Sequence, residues 1–375
     1  MKLDLLAPLY ELGGPFASAY LDTSRDAEDA ARAIDLRWQG LQSHLVDLGA
    51  DEVTLDAMAG EVGVHRDESG RHGQALIAAR GSVVLDAVLP QPPPRDTARW
   101  SALPDVMPLV AQLGARVPHV VVVVDRAGAE VTVHGETANT STIEGGTYPI
   151  HKVSAGGWSE QRFQRRAENL WDHNAAEVAE AVDGAVRNVG ARLVVLAGDV
   201  RARAALRDRL SSRSLDVLIE VDEGVRGAGA SAEPLAEKVG RLVAEVAARD
   251  SEDAVERFLQ ELGQHDRATQ GLEQVLAALQ KSAVDTLFIQ HDHPSLQGEV
   301  WTGPSPSQVA RTPEQLWQTG VPDPQQDRAD SALVRAAAGT GADLVLVTPG
   351  QVDLPDGVGA LLRYATGGDV DGTRK

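Results

Sequence analysis

The apolar positions of the chain switch between a period of two and a period near 3.6. Phe16 to Asp22 (FASAYLD) alternates and predicts a strand. Asp26 to Leu48, rich in Ala and Leu, predicts a helix. Gln74 to Ala79, the turn Arg80-Gly81-Ser82, and Val83 to Leu89 predict a β-hairpin. Gln91 to Pro94 (QPPP) is a stiff, non-helical stretch, and Leu103 to Leu113 suits a short helix. These elements predict a first α/β domain over residues 1–117.

A second unit opens at Pro118. The continuous β-branched run His119 to Val124 is the signature of a strand buried on both faces. Asp125 to Ala129 turns the chain, and Glu130 to His134 returns it. From Ser159 to Val186 the apolar positions Phe163, Ala167, Leu170, Trp171, Val178, Val182 and Val186 keep close to a helical period. Arg192 to Ala197 predicts a buried strand, Arg201 to Leu210 a basic helix, and Leu215 to Val221 a further strand. That alternation predicts a largely parallel sheet. Gly224 to Ala232 (GVRGAGASA) lacks the Lys-Ser or Lys-Thr pair of a phosphate loop and reads as a linker. A long helix over Pro234 to Leu262 leads onward, so the second domain spans 118–245.

The last unit, 246–366, carries a helix at Gly271 to Lys281 and a strand at Asp285 to Gln290. A long polar loop follows, with Pro294, Pro304, Pro306, Pro322 and Pro324. A helix at Ala329 to Ala338, a strand at Asp343 to Val347, and a helix or closing turn at Val358 to Tyr364 complete an α/β/α sandwich pattern. Residues 367–375 read as a disordered tail. The fold class is therefore α/β, in three domains.

Composition narrows the functional classes. A net charge of −20, with 55 acidic against 35 basic residues, excludes a general nucleic-acid binder, and DNA is not an expected partner. RNA contact would have to come from local basic patches. The absence of cysteine excludes disulfides, thiol chemistry and cysteine-ligated metal. No metal and no cofactor is expected. The N-terminal MKLDLLAPLYELGG is broken by acids and is no signal peptide, and HVVVVVD at His119 to Asp125 is far too short to span a bilayer. The expectation is a soluble cytoplasmic protein with no membrane partner.

Candidate chemistry gathers at His151 to Arg166, HKVSAGGWSEQRFQRR. Gly156 and Gly157 give a backbone free to adopt positive φ and to approach another molecule closely. Ser159 suits an N-cap, and Arg162, Arg165 and Arg166 fall on the first turns of the helix that follows. A glycine tip running into a basic helix suits RNA, with Lys152 and the arginines taking phosphates. The alternative is a surface loop leading into an amphipathic helix with solvated arginines.

Three blocks together resemble the archaeal and eukaryotic class-one release factors and their bacterial relatives, closest to the ribosome hibernation factor Balon and its actinobacterial kin. AGGWSEQRFQRR looks like that family's Gly-Gly-Gln loop and Arg-rich helix. ARLVVLAGD, Ala191 to Asp199, looks like the strand after it. SAVDTLFI, Ser282 to Ile289, with PDGVGALLRY, Pro355 to Tyr364, looks like the family's last domain, a ribosomal-L7Ae-like fold. The blocks stand in family order at family spacing over about the final two-thirds of the chain. The resemblance implies a release-factor-like arrangement, with the first domain on the decoding side and the Gly-Gly loop in the central one.

The departures are as informative. Trp158 stands where the family has its catalytic glutamine. That glutamine helps water attack the peptidyl-tRNA ester, partly through a backbone N–H that Trp158 keeps. The small amide that positions water is missing, and an indole stacks or plugs instead. Gln161 could replace it only if the helix began later. The first domain has no Asn-Ile-Lys-Ser sequence and, without cysteine, no cysteine-containing stop-codon signature. The resemblance then implies a hibernation or stress factor that binds rRNA in the ribosomal A site, with elongation factor Tu as companion. Two alternatives remain open. One is a peptidyl-tRNA hydrolase or rescue factor using Trp158 and Gln161, and the other is a retained fold with a non-ribosomal partner.

Three other features carry less. His291-Asp292-His293 offers metal-ligand atoms without a further cluster and reads as a loop at a strand end. Asp199 reads as a helix-start acid or a loop ion pair, and Trp171 as core.

Overall fold

The computed structural model describes residues 1–27, 29–65, 70–113, 117–125, 128–135, 138–144, 158–223, 233–264 and 267–365. They form two compact units, Met1–Gly114 with Ser251–Lys375, and Ala115–Asp250.

The N-terminal stretch contains α1 (Ala7–Glu11), β1 (Phe16–Asp22), α2 (Ala30–Asp47), α3 (Glu52–Glu61), β2 (Gly73–Ala79), β3 (Ser82–Leu89), β4 (Thr97–Ser101) and α4 (Met107–Leu113). The strands make an antiparallel sheet in the order β3-β2-β1-β4. The hairpin between β2 and β3 turns on Arg80 and Gly81, both at positive φ, which matches the twist of the two strands. Strand periodicity splits β1 between two cores. Ala17, Ala19 and Leu21 pack with Ile34, Trp38 and Leu45 of α2 and with Leu55 and Met58 of α3. Phe16 and Tyr20 point the other way. The helix α3 has no predicted counterpart. Its apolar positions make no stripe, and Asp51 starts it by accepting from the Thr54 N–H at 2.9 Å.

The second unit contains β5 (His119–Val124), β6 (Gly128–His134), β7 (Ala138–Glu144), α5 (Trp158–Val189), β8 (Leu193–Gly198), α6 (Val200–Arg207), α7 (Ser212–Leu215) and β9 (Leu218–Glu220). The sheet order is β7-β6-β5-β8-β9. Here the expectation of a largely parallel sheet needs correction: β5, β8 and β9 run parallel, but β6 and β7 extend the sheet antiparallel. The predicted strand Leu215 to Val221 also shrinks, because residues up to Leu215 form the turn α7 and β9 pairs over three residues. Val120, Val122 and Val124 pack under α5 and α6, while Val121 packs with Leu235 and Leu242 of α8 (Glu233–Gln264). Cover on both faces explains the unbroken valine run.

The C-terminal stretch returns to the first unit. It contains β10 (Ala268–Gln270), α9 (Leu272–Gln280), β11 (Val284–Gln290), β12 (Glu299–Thr302), β13 (Val309–Ala310), α10 (Pro313–Gln318), β14 (Gln325–Arg328), α11 (Ala329–Thr340), β15 (Asp343–Val347) and β16 (Val358–Leu362). The main sheet runs β10-β16-β11-β15. On one face Val275, Leu276 and Leu279 of α9 and Leu333 and Ala337 of α11 join Phe16 and Tyr20 in one cluster. On the other, Phe258 of α8 lies on Phe288 of β11 with ring centroids 4.9 Å apart. Two expectations are overturned. Val358 to Leu362 is neither helix nor turn but a strand between β10 and β11, every residue buried. The polar loop after β11 is ordered into the sheet β13-β12-β14 with α10 beside it. There Pro313 occupies the start of α10, where a missing N–H is harmless.

Candidate functional site

The helix α5 is the element that carries the predicted loop residues. Of its 32 residues, Ala175, Val178, Ala179, Val182 and Val186 in the second half are buried against β5, β6 and α6. The spacing of three and four puts these on one side of the helix. At 1.5 Å per residue, Trp158 starts the helix roughly 24 Å before Asn174, which is buried. At about 100° per residue, positions 162 and 166 fall on the far side of the helix from the anchored stripe, and position 165 lies about a quarter turn from its centre.

The helix opens at Trp158, one residue before the predicted cap Ser159. Trp158, Ser159 and Gln161 therefore lie in its first turn. The first four N–H groups of a helix have no acceptor within it, and here they belong to residues 158–161. Arg162, Arg165 and Arg166 follow within the same helix. Lys152, Gly156 and Gly157 lie outside the described residues, as do the side chains of Trp158, Ser159, Gln161, Arg162, Arg165, Arg166 and Trp171. The glycine-rich segment at residues 224–232 is outside them too.

Asp199 caps α6, its carboxylate accepting from the N–H groups of Arg201 at 3.0 Å and Ala202 at 3.1 Å. Behind it, buried Arg203 donates to the Val221 carbonyl at 2.6 Å and to Asp222 at 2.8 Å, which ties α6 to the end of β9. His291, Asp292 and His293 follow β11 as a turn. The His293 Nδ1 accepts from the Ser295 N–H at 3.3 Å, and His291 pairs with Asp292 at 3.0 Å. Among the described residues no group of three or more His, Asp or Glu side chains could hold a metal ion. None of their helices is long and apolar enough to cross a membrane.

The structure also assembles a site that the sequence did not suggest. A cleft of about 360 Å³ in the first unit is lined by Arg99 from β4, Asp105, Met107, the turn after β11, and Arg328 and Asp330 at the start of α11. Asp327, behind it, is fully enclosed and accepts from Arg99, from the Leu103 N–H at 2.6 Å and from the Arg328 N–H at 2.7 Å. Asp330 accepts from the Arg328 side chain and from the Ser331 N–H at 2.6 Å. Burial opposes the charge of Arg328, but Asp330 beside it holds the guanidinium pKa above its usual value. Asp105 is 9% exposed, and its Oδ1 has no hydrogen-bond partner. Burial, and then the neighbouring Asp330, push its pKa up against the pull of Arg328 and Arg99. The only local trace in the sequence is the acidic-basic run DRAD, Asp327 to Asp330, ahead of an apolar helix.

The profile of bacterial archaeo-eukaryotic release factor family 2 matches residues 118–264. The chain is 33% identical over 373 residues to the uncharacterized protein Rv2629 of Mycobacterium tuberculosis, covering 97% of each. Among solved structures, ribosome-bound archaeal Pelota is similar at 15% identity, 97% and 94% coverage and a TM-score of 0.41. The archaeal translation termination factor aRF1 is similar at 16% identity, 96% coverage of each chain and a TM-score of 0.27. The profile and the full-length relative carry the assignment.

Proposed function

This chain belongs to bacterial archaeo-eukaryotic release factor family 2, and from that premise we propose that it is a ribosome-binding factor that occupies the A site without releasing peptide. The observation that supports this reading is the start of α5 at Trp158. It sets an indole, where release factors have glutamine, at the head of a helix whose second half is anchored in the core of the second unit. Positions 162 and 166 fall on the far side of the helix from the anchored stripe, with 165 about a quarter turn from it, which suits contact with rRNA phosphates in a chain of charge −20. Trp158 stacks or fills space, and hibernation or stress is the setting in which a non-releasing occupant serves. Its companions are the A-site rRNA and elongation factor Tu, in the cytoplasm, with Lys152, Gly156, Gly157 and Ser159 shaping the approach.

A second reading, peptidyl-tRNA hydrolysis, is favoured by the N–H groups at residues 158–161, which have no acceptor within the helix and suit a developing oxyanion. One experiment separates the two. Wild type and the Arg162→Ala, Arg165→Ala, Arg166→Ala triple variant are co-sedimented with ribosomes over a salt series, and peptide release is measured on the same loaded ribosomes. The proposal expects background release and a log-log salt slope about three smaller for the variant. Release by wild type that Gln161→Ala lowers would establish the hydrolase instead. An equal slope would remove the arginines from the contact.

A further inference from the structure

The charged groups around the cleft of the first unit are not equally satisfied. Arg99 is taken up by Asp327 and by the Ser331 hydroxyl at 3.3 Å. Arg328 is taken up by Asp330. Each guanidinium thus has its own carboxylate, and their charges cancel. His291 is paired with Asp292, and the His293 Nδ1 holds the turn that follows it. The acid left over inside is Asp105. Its main chain is clamped from both sides by β1: its N–H donates to the Ser18 hydroxyl at 3.0 Å, and its carbonyl accepts from the Tyr20 hydroxyl at 2.5 Å. A carboxylate held this firmly, nine-tenths buried and with no hydrogen bond at Oδ1, is an expensive arrangement unless something donates to it.

The walls say what that donor is attached to. Pro108 and Met107 give the cleft an apolar side beside its charged end, with Ile289 and Leu296 packed behind. Its volume of about 360 Å³ is that of a small-ligand site. Both arginines lining the cleft are already paired with carboxylates, so a phosphate or carboxylate ligand finds no unpaired guanidinium there. We propose that this cleft binds a small molecule with an alkyl chain ending in an ammonium or guanidinium group, received by Asp105. The chain of methylenes lies along Pro108 and Met107, and the cationic head donates to the carboxylate. This site is independent of the ribosome reading and needs no residue of the loop or of α5.

The test uses the full-length chain and two probes, putrescine and agmatine, with 1,4-butanediol as the uncharged match in length. Binding is followed by calorimetry and by the thermal midpoint of the first unit. At least one amine binds saturably and raises that midpoint, and butanediol does neither. Asp105→Asn weakens the binding roughly ten- to a hundredfold, as expected for loss of a charge-assisted hydrogen bond. Asp292→Asn, at the exposed mouth, changes it by less than about threefold. Asp105→Ser replaces the amide if that variant does not fold. Equal binding by the Asp105 variants means that the amines screen the acidic surface, and it overturns the proposal. So does the absence of saturable binding by either amine at millimolar concentration.

Discussion

Two histidines face each other across β5 and β6, their rings stacked with centroids 4.3 Å apart and planes 8° from parallel. The His119 Nδ1 contacts the Val117 carbonyl at 2.7 Å. Burial lowers the pKa of both, and for His134 the neighbouring His119 lowers it further. A depressed folded pKa means that the stack's contribution is present above the unfolded histidine value of 6.5 and is lost as pH falls through the lower folded values. The second unit should therefore lose stability below about pH 6.5, by at most about 1.4 kcal/mol per pH unit for each proton that only the unfolded chain takes up. His134→Phe keeps a stacked ring and removes one titration, so urea midpoints from pH 7 to 5 should fall less steeply. An unchanged slope would assign the acid sensitivity elsewhere. At this scale some roles can be read directly from sequence. Asp199 is legible as a helix-start acid because the N–H groups it caps are two and three residues away. Asp105 is not, because what isolates it comes from β1 and α11.

Elements were legible where their period was long and uninterrupted. The strands Phe16–Asp22 and His119–Val124 stand where alternation and the valine run put them, and α5 and α9 follow their 3.6-residue stripes. Short segments failed because pattern needs length. VGALL of β16 is apolar at every position and has no period to read. The strands β12, β13 and β14 have two to four residues each and, among the described residues, pair with one another. A different local demand governs the end of β8. Gly198 sits at φ +111°, and a Cβ there would lie 1.9 Å from the Val124 carbonyl oxygen of β5. Gly198→Ala must break the last rung of the parallel pair and shift the cap at Asp199. It is expected to destabilise the second unit by about 2–4 kcal/mol, measured by urea unfolding. A loss under about 0.5 kcal/mol would show that the two strands part there at little cost.

Across the whole molecule, the sequence carries no local sign that Phe16 and Tyr20 share a cluster with Leu276 and Leu333. That pairing joins residues more than two hundred positions apart, and alternation within a strand cannot name its distant partner. The ion pair of Arg99 with Asp327 crosses the same seam. Asp327→Ala leaves Arg99 and two N–H groups without their acceptor in a buried setting. It should lower the unfolding free energy of the first unit by about 3–5 kcal/mol. Differential scanning calorimetry should show the first unit's transition moved down and the second unit's in place. A shift of both together would mean that the units melt as one. The split origin of the first unit has a further consequence during synthesis. Its N-terminal half leaves the ribosomal exit tunnel before its C-terminal half is made, with residues 115–250 translated in between. At about 5–20 residues per second, that delay is on the order of ten seconds. For that time the side of β1 bearing Phe16 and Tyr20 has no cover from α9 and α11, whereas the second unit is made from one continuous stretch. Closure of the first unit's core therefore waits on the last third of the message.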